Sequence, residues 1–205
     1  MKKLFICMFI AAIAFLCIGS KNNETTSERL ADKIFRLHVI ANSDSEEDQA
    51  LKLLVKEALV NYIEANSANL TDKAAYIKYI NENEEQLKSI ATQVIQEQGY
   101  GYNVDLSIEN TYFPVKSYGD LTFPCGYYDA LCVRIGDASG KNWWCVLYPP
   151  LCFVDLTYGV VPEDSKDTLQ NIVGDEDYYT LLSGGEDVKV KPRSLILDTI
   201  KEWFD

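Results

Sequence analysis

The sequence predicts an α+β domain: an antiparallel sheet of about four strands, two tandem helices packed on one of its faces, and a short C-terminal helix. Three observations predict it. Apolar and polar residues alternate around 34–41, 104–113 and 127–135, and apolar residues crowd together at 142–152, as strands require. Between the first two of these stretches, apolar residues recur every three or four positions over two long segments, which is the helical period. Turn-forming residues at 42–45, 118–120 and 137–140 separate the segments.

In the first strand Phe35, Leu37, Val39 and Ala41 share one face, and Arg36, His38 and Ile40 share the other, as in a strand covered on one side. Asn42-Ser43-Asp44-Ser45 follows with turn and cap chemistry, and Glu46, Glu47 and Asp48 suit the first turn of a helix. That helix runs to about residue 65 with Leu51, Leu54, Val55, Ala58, Leu59 and Tyr62 in one stripe. Thr71 caps a second helix carrying Ile77, Ile80, Leu87, Ala91 and Val94, which ends at Gly99.

The second strand holds Val104, Leu106 and Ile108 and stops at Phe113-Pro114. A third, 127–135, is expected to form a hairpin through Asp137-Ala138-Ser139-Gly140 with a fourth, which starts at Asn142-Trp143-Trp144 and is ended by Pro149-Pro150. A turn centred between Ala138 and Ser139 buries Trp144 beside Val133 and Leu131 beside Val146. The same register sets Arg134 against Trp143 and Cys132 across from Cys145. A bulge at Gly140 reverses that assignment.

The flanks differ from this core, 34–155. Residues 1–20 have the basic start, apolar run and small-residue end of an export signal, with cleavage favoured over retention as an anchor. Residues 21–33 read as a polar spacer, 156–190 as an acidic mobile extension, and 191–205 as an amphipathic C-terminal helix needing a surface to cover. The domain itself, a partner or a weak contact with a membrane would supply one.

Removing Lys2 and Lys3 from 19 basic residues leaves 17 against 31 acidic ones, a net charge of −14. So acidic a surface repels phosphate backbones and excludes nucleic acid as a partner. With Cys7 and Cys17 in the export signal, Cys125, Cys132, Cys145 and Cys152 remain. An even number in an exported chain points to two disulfides. Spacing supports two pairings: Cys125 with Cys132 and Cys145 with Cys152, or Cys132 with Cys145 and Cys125 with Cys152. Zinc normally takes closer cysteine pairs, and His38 is the only histidine.

Catalytic chemistry is scarce. A Cys-His nucleophile would depend on His38 alone and is removed by disulfide formation. Asn42-x-Asp44-x-Glu46 has the opening spacing of a calcium loop, but Glu47 stands at the glycine position and Leu53 at the closing acid. No cofactor or metal is indicated. Composition favours a binding protein over an enzyme, with a secreted cell-wall hydrolase or wall-binding module as the alternatives.

Two motifs carry a resemblance. The first is Arg36-Leu37-His38-Val39-Ile40-Ala41-Asn42-Ser43-Asp44-Ser45 with Asp48-Gln49 and Leu51-Lys52. The second runs from Tyr118-Gly119-Asp120 through Phe123-Pro124, Gly126, Ala130-Leu131, Ile135-Gly136 and Asn142-Trp143-Trp144-Cys145-Val146-Leu147 to Pro149-Pro150-Leu151-Cys152-Phe153. Together they resemble the stage II sporulation protein R family, secreted signalling proteins of endospore-forming bacteria. The resemblance implies export from the forespore into the intermembrane space of the sporulation septum. There the protein would activate the mother cell's membrane aspartic protease, stage II sporulation protein GA, and so lead to processing of pro-sigma-E. It also implies the pairs Cys145 with Cys152 and Cys125 with Cys132. Arg36, His38, Asn42, Ser43, Asp44, Arg134 and Trp143 are the expected partner-contact residues, since arginine and aromatic side chains commonly anchor interfaces.

Overall fold

The computed structural model describes residues 25–67, 69–152 and 161–182. The export signal at 1–20 and the C-terminal helix expected at 191–205 lie outside the described residues.

The described chain begins with a helix where a spacer was expected. Thr25 caps α1 (Thr26–Lys33) in a reciprocal capping box with Glu28, and Leu30 is buried. The Thr-x-x-Glu signature satisfies two otherwise orphaned backbone N–H groups, so the polarity of 21–33 conceals a docked helix. Next come β1 (Phe35–Ile40) and α2 (Glu46–Ser67), the latter with Glu46, Glu47 and Asp48 in its first turn. The expected second helix is two. Asp72, not Thr71, caps α3 (Lys73–Glu82), and the chain breaks at Asn83 before α4 (Glu84–Glu97). Asn83 leaves helical geometry at ψ 15° while its amide and side chain both bond the end of α3.

The strands are β2 (Val104–Phe113), β3 (Lys116–Tyr118), β4 (Leu121–Phe123), β5 (Gly126–Ile135) and β6 (Asn142–Tyr148). Four of them form one sheet in the order β2-β5-β1-β6, and β3 with β4 forms a separate two-stranded sheet. The α+β class and four-stranded sheet match the sequence reading, but the sheet is mixed: β1 lies parallel to β5 and antiparallel to β6. The expected β5–β6 hairpin is therefore opened by β1. Ala138 N closes the turn on Ile135 O, and Ser139 N then donates to Asn42 O and Gly140 N to Ala41 O, so the chain leaving the turn bonds the end of β1 and not β5. β1 thereby gains ladders on both edges and buries Phe35, Leu37 and Val39.

Helices α2 and α4 pack on each other and on one face of this sheet. Their Leu51, Val55, Leu59, Leu87, Ala91 and Ile95 join Leu37, Val39, Leu106, Leu131 and Val133 in the core. Each fully buried aliphatic side chain contributes ~1.5–3 kcal/mol. Part of the opposite face is covered by β3 and β4.

Residues 161–182, assigned to a mobile extension, contain α5 (Glu163–Val173) and α6 (Asp175–Leu182). Leu169, Val173, Tyr178 and Leu181 are buried. Asp177, 3% exposed, pairs with Arg29 at 2.6 Å and Lys33 at 3.2 Å, and Lys166 pairs with Asp120 at 2.6 Å. The acidic composition of this segment thus complements cations elsewhere in the fold.

Cys145 and Cys152 form a disulfide with Cα atoms 5.3 Å apart, whereas Cys125 and Cys132 are free. The expected second bridge is precluded by β5. Cys125 stands at its base and Cys132 seven steps along it, a span of roughly 23 Å against a limit of about 7 Å. The alternative Cys132–Cys145 bridge fails too. Leu37 lies opposite Cys145 and His38 opposite Cys132, so the two cysteines are a strand apart and on opposite faces.

Candidate partner-binding face

Alternation along β1 sends Arg36, His38 and Ile40 to the face away from α2 and α4. Across the ladders Arg36 meets Ala130 and Val146, His38 meets Cys132 and Trp144, and Ile40 meets Arg134 and Asn142. One end of this face lies under the β3–β4 hairpin. At the other end His38, Ile40, Arg134 and Trp144 are half-buried and Asn142 is exposed.

Arg36 was expected at the surface and is instead fully buried. Its guanidinium lies 4.2 Å from the ring centroid of Phe113, 5.0 Å from Tyr128 and 5.6 Å from Phe123. Nη2 donates to Tyr118 Oη at 2.8 Å, and that hydroxyl donates to Trp144 O at 2.9 Å. Burial lowers the Arg36 pKa and raises those of Tyr118 and Tyr128, but a guanidinium keeps its proton. The hairpin that contributes Tyr118 and Phe123 is what removes this arginine from solvent.

His38 Nε2 donates to Asn142 Oδ1 at 2.7 Å, which leaves Nδ1 as the acceptor nitrogen. Its ring stacks on Trp144 at 5.6 Å and meets the edge of Phe113 at 5.9 Å. Lys116 Nζ lies 4.3 Å from the Trp144 ring centroid. Burial holds the His38 pKa below its ordinary value against the Asn142 hydrogen bond. Cys132, opposite His38, is free to act as a thiol but is poorly poised. Burial, then the Glu109 carboxylate, push it up to about 11, so little thiolate forms near neutral pH.

Arg134 does not reach Trp143, because the two lie on opposite faces. It donates to Glu109 at 2.8 Å and Ser107 at 2.9 Å. The Arg134 bond, then one that Ser107 Oγ donates, hold Glu109 at about 2. Trp143 lies opposite Val39, and Lys56 Nζ is 5.4 Å from its ring centroid. Trp144, expected in the helix-side core, occupies the partner face.

Asn42 and Ser43 are committed to the fold. Asn42 Nδ2 donates to Asp48 at 2.8 Å and its Oδ1 accepts from Asp137 N at 2.9 Å, while Ser43 Oγ also donates to Asp48. Asp48 is buried and held below the ordinary carboxylate range, first by Ser43. Of the oxygens that a calcium loop would have aimed at an ion, Asn42 Oδ1 is thereby engaged by Asp137 N. Asp44 is exposed. Among the described residues no group of three His, Cys, Asp or Glu side chains is placed to hold a metal ion.

The arrangement thus divides the expected contact residues: His38 and Arg134 share a half-open face, Trp143 lies behind it, Asn42 and Ser43 lock a loop, and Arg36 is enclosed. The family model for stage II sporulation protein R matches residues 31–158. The chain belongs to that family. Stage II sporulation protein R of Bacillus subtilis (strain 168) is 30% identical over 173 residues, covering 81% of this chain and 77% of that protein. No solved structure matches. The stage II sporulation protein R match takes in all six strands and makes this a sporulation protein, while α5 and α6 follow it.

Sequence reasoning missed Lys116, Trp144 and the ring cage of Phe113, Tyr118, Phe123 and Tyr128. A signal was available for part of it, since Tyr118-Gly119-Asp120 and Phe123-Pro124 belong to the motif of the resemblance. What linked them to Arg36 is a tertiary contact with no local trace.

Proposed function

We propose that this member of the stage II sporulation protein R family is an exported signal of endospore formation. In this reading it leaves the forespore for the intermembrane space of the septum and activates the mother-cell membrane aspartic protease, stage II sporulation protein GA. Pro-sigma-E then loses its pro-sequence. The family match over 31–158 carries the proposal, because it spans the whole four-stranded sheet and both motifs.

The chemistry of the described residues supports a ligand rather than a catalyst. Cys132 is held as a thiol. Asp48 and Glu109 are lowered by hydrogen bonds, and burial of Asp120 and Asp129 is outweighed by Lys166 and Lys73. A wall hydrolase of the glycosidase type needs a carboxyl raised toward neutrality instead. A wall-binding module needs a row of flat exposed rings; Trp144 is covered by His38 and Lys116, and the exposed Tyr112 and Tyr127 meet edge to face.

Reconstitution tests the proposal. The protease and the pro-sigma-E precursor are co-expressed in a non-sporulating host, and this protein is supplied with its export signal. Cleavage that depends on the supplied protein is the expected outcome; cleavage independent of it, or none, refutes the reading. Purified peptidoglycan provides the counter-test, with neither hydrolysis nor retention expected.

A further inference from the structure

A guanidinium taken out of water keeps its charge, and so normally meets a carboxylate or spends its N–H donors on several acceptors. Arg36 does neither. Beyond the Nη2 bond to Tyr118, its Nε reaches Cys145 O only at 3.5 Å, and the buried Nη1 has no acceptor at all. The neighbours that act on its charge are Tyr118 and Tyr128, not an acid. Cation–π contact with Phe113 and Tyr128 compensates in part.

One step along the same face the buried Trp144 Nε1 is a second donor without a partner, and His38 Nδ1 is an acceptor without one. Lys116 adds a second cation over Trp144. The nearby acid Glu109 is already occupied by Arg134 and Ser107. Hydrogen-bond donors and positive charge therefore exceed acceptors here, on a chain whose net charge is −12. The imbalance is local, and an anion would correct it.

We propose that Arg36 is a carboxylate receptor: an Asp or Glu side chain of the partner enters beside Tyr118 and pairs with the Nη1 edge. This rests on the signalling reading above. The cover that must yield is β3–β4, a two-stranded sheet of its own. It is tied to β6 through Tyr118 Oη and Trp144 O, and to α5 through Asp120 and Lys166. Two-stranded units are marginal alone, so the hairpin can shift while the four-stranded ladder persists. A guanidinium–carboxylate pair, with both partners charged, is stronger than the bond to Tyr118, in which only the guanidinium is charged. That difference is the free energy that drives the shift.

Two arms test this. In the first, the full chain labelled with 15N-arginine is titrated with sodium formate against chloride at constant ionic strength. A saturable shift of the Arg36 guanidinium resonances is expected, without one at Arg134, and at lower formate concentration in Tyr118→Phe, which removes the competing acceptor. No shift at Arg36, as an internal water at Nη1 would give, overturns the proposal. So do parallel, non-saturating shifts at both arginines, the mark of an adventitious ion only.

In the second arm, wild type, Arg36→Met and Tyr118→Phe are compared in the reconstituted protease system, in chloride without small carboxylic acids. Arg36→Met is expected to melt at or above the wild-type temperature, because an apolar side chain replaces a buried charge without a counter-ion. Its cleavage signal should fall about tenfold or more, as for an interface anchor. Full cleavage with Arg36→Met, or a loss that merely follows unfolding, overturns the partner's use of the site. If Arg36→Met fails to fold, Tyr118→Phe decides, with wild-type or greater cleavage expected and a tenfold loss contrary. Cleavage that requires added formate assigns the site to a free acid instead. No cleavage even by wild type overturns the signalling reading and the partner assignment together, while the first arm still decides the carboxylate site.

Discussion

His38 is the only histidine in the chain, and its surroundings set the sign of its pH response. Burial, opposed by Asn142 and Glu109 and reinforced by Arg134, keeps its folded-state pKa below the ordinary value. Above about pH 6.5, the unfolded value, both states are neutral and stability is complete. As pH falls below it, the unfolded chain takes the proton first and stability declines. Thermal melting between about pH 7.5 and about pH 5.5 should therefore cost wild type more than His38→Gln. Glu109 acts lower: its folded pKa of about 2 gives stability that is complete above about 4.3 and lost as pH falls through the folded value. Arg134→Met should raise the Glu109 pKa, read from its carboxyl NMR titration. The cost should be only ~0.5–1 kcal/mol, because Arg134 and Glu109 side chains are 33% and 38% exposed.

At the scale of elements, the loop after β1 and the turn after β5 form a single lock. Gly136 has φ +57°, and a Cβ there would lie 2.2 Å from Asn42 Oδ1. A Cβ on Gly140 would lie 2.1 Å from Ser43 O. The Gly140 neighbour is backbone and cannot rotate away, whereas Asn42 is a side chain. Gly140→Ala and Gly136→Ala should each destabilise by ~2 kcal/mol or more, measured by urea unfolding. Adding Asn42→Ala should recover part of the loss for Gly136→Ala and none for Gly140→Ala. Asn42, Ser43 and Gly136, which belong to the two motifs, thus have a packing role. The partner contact is better sought on the opposite end of β1 and on β6.

At the scale of the whole molecule, α1 and α6 hold the chain's two described ends together. The Asp177 carboxylate is buried between Arg29 and Lys33, and Lys33 Nζ also donates to Val173 O. Asp177→Asn removes the buried charge that Arg29 and Lys33 share, although Arg29 still reaches the exposed Glu176 at 3.3 Å, and should cost ~2 kcal/mol, less than the 3–5 of a fully buried pair because both cations are partly exposed. Limited proteolysis should then cut within 161–182 before the core, and hydrogen exchange should quicken in α1 as well as α6. Cleavage confined to other segments would contradict this clamp.

By itself the sequence determined the strands of the main sheet, α2 and the family. Period-two alternation marked β1, β2 and β5, the three-four rhythm of Leu51, Val55 and Leu59 marked α2, and two long motifs pointed to stage II sporulation protein R. Periodicity reports which side chains share a face of one element, and that is a local property. Tertiary structure decided the rest. Inserting β1 between β5 and β6 separated Arg134 from Trp143 and Cys132 from Cys145. Docking β3–β4 enclosed Arg36, whose charge alone would have placed it in water. Polar composition hid α1 and α5–α6 because their charges are answered from other elements, Arg29 of α1 by Asp177 of α6 and Lys166 of α5 by Asp120, and only folding brings such partners within reach.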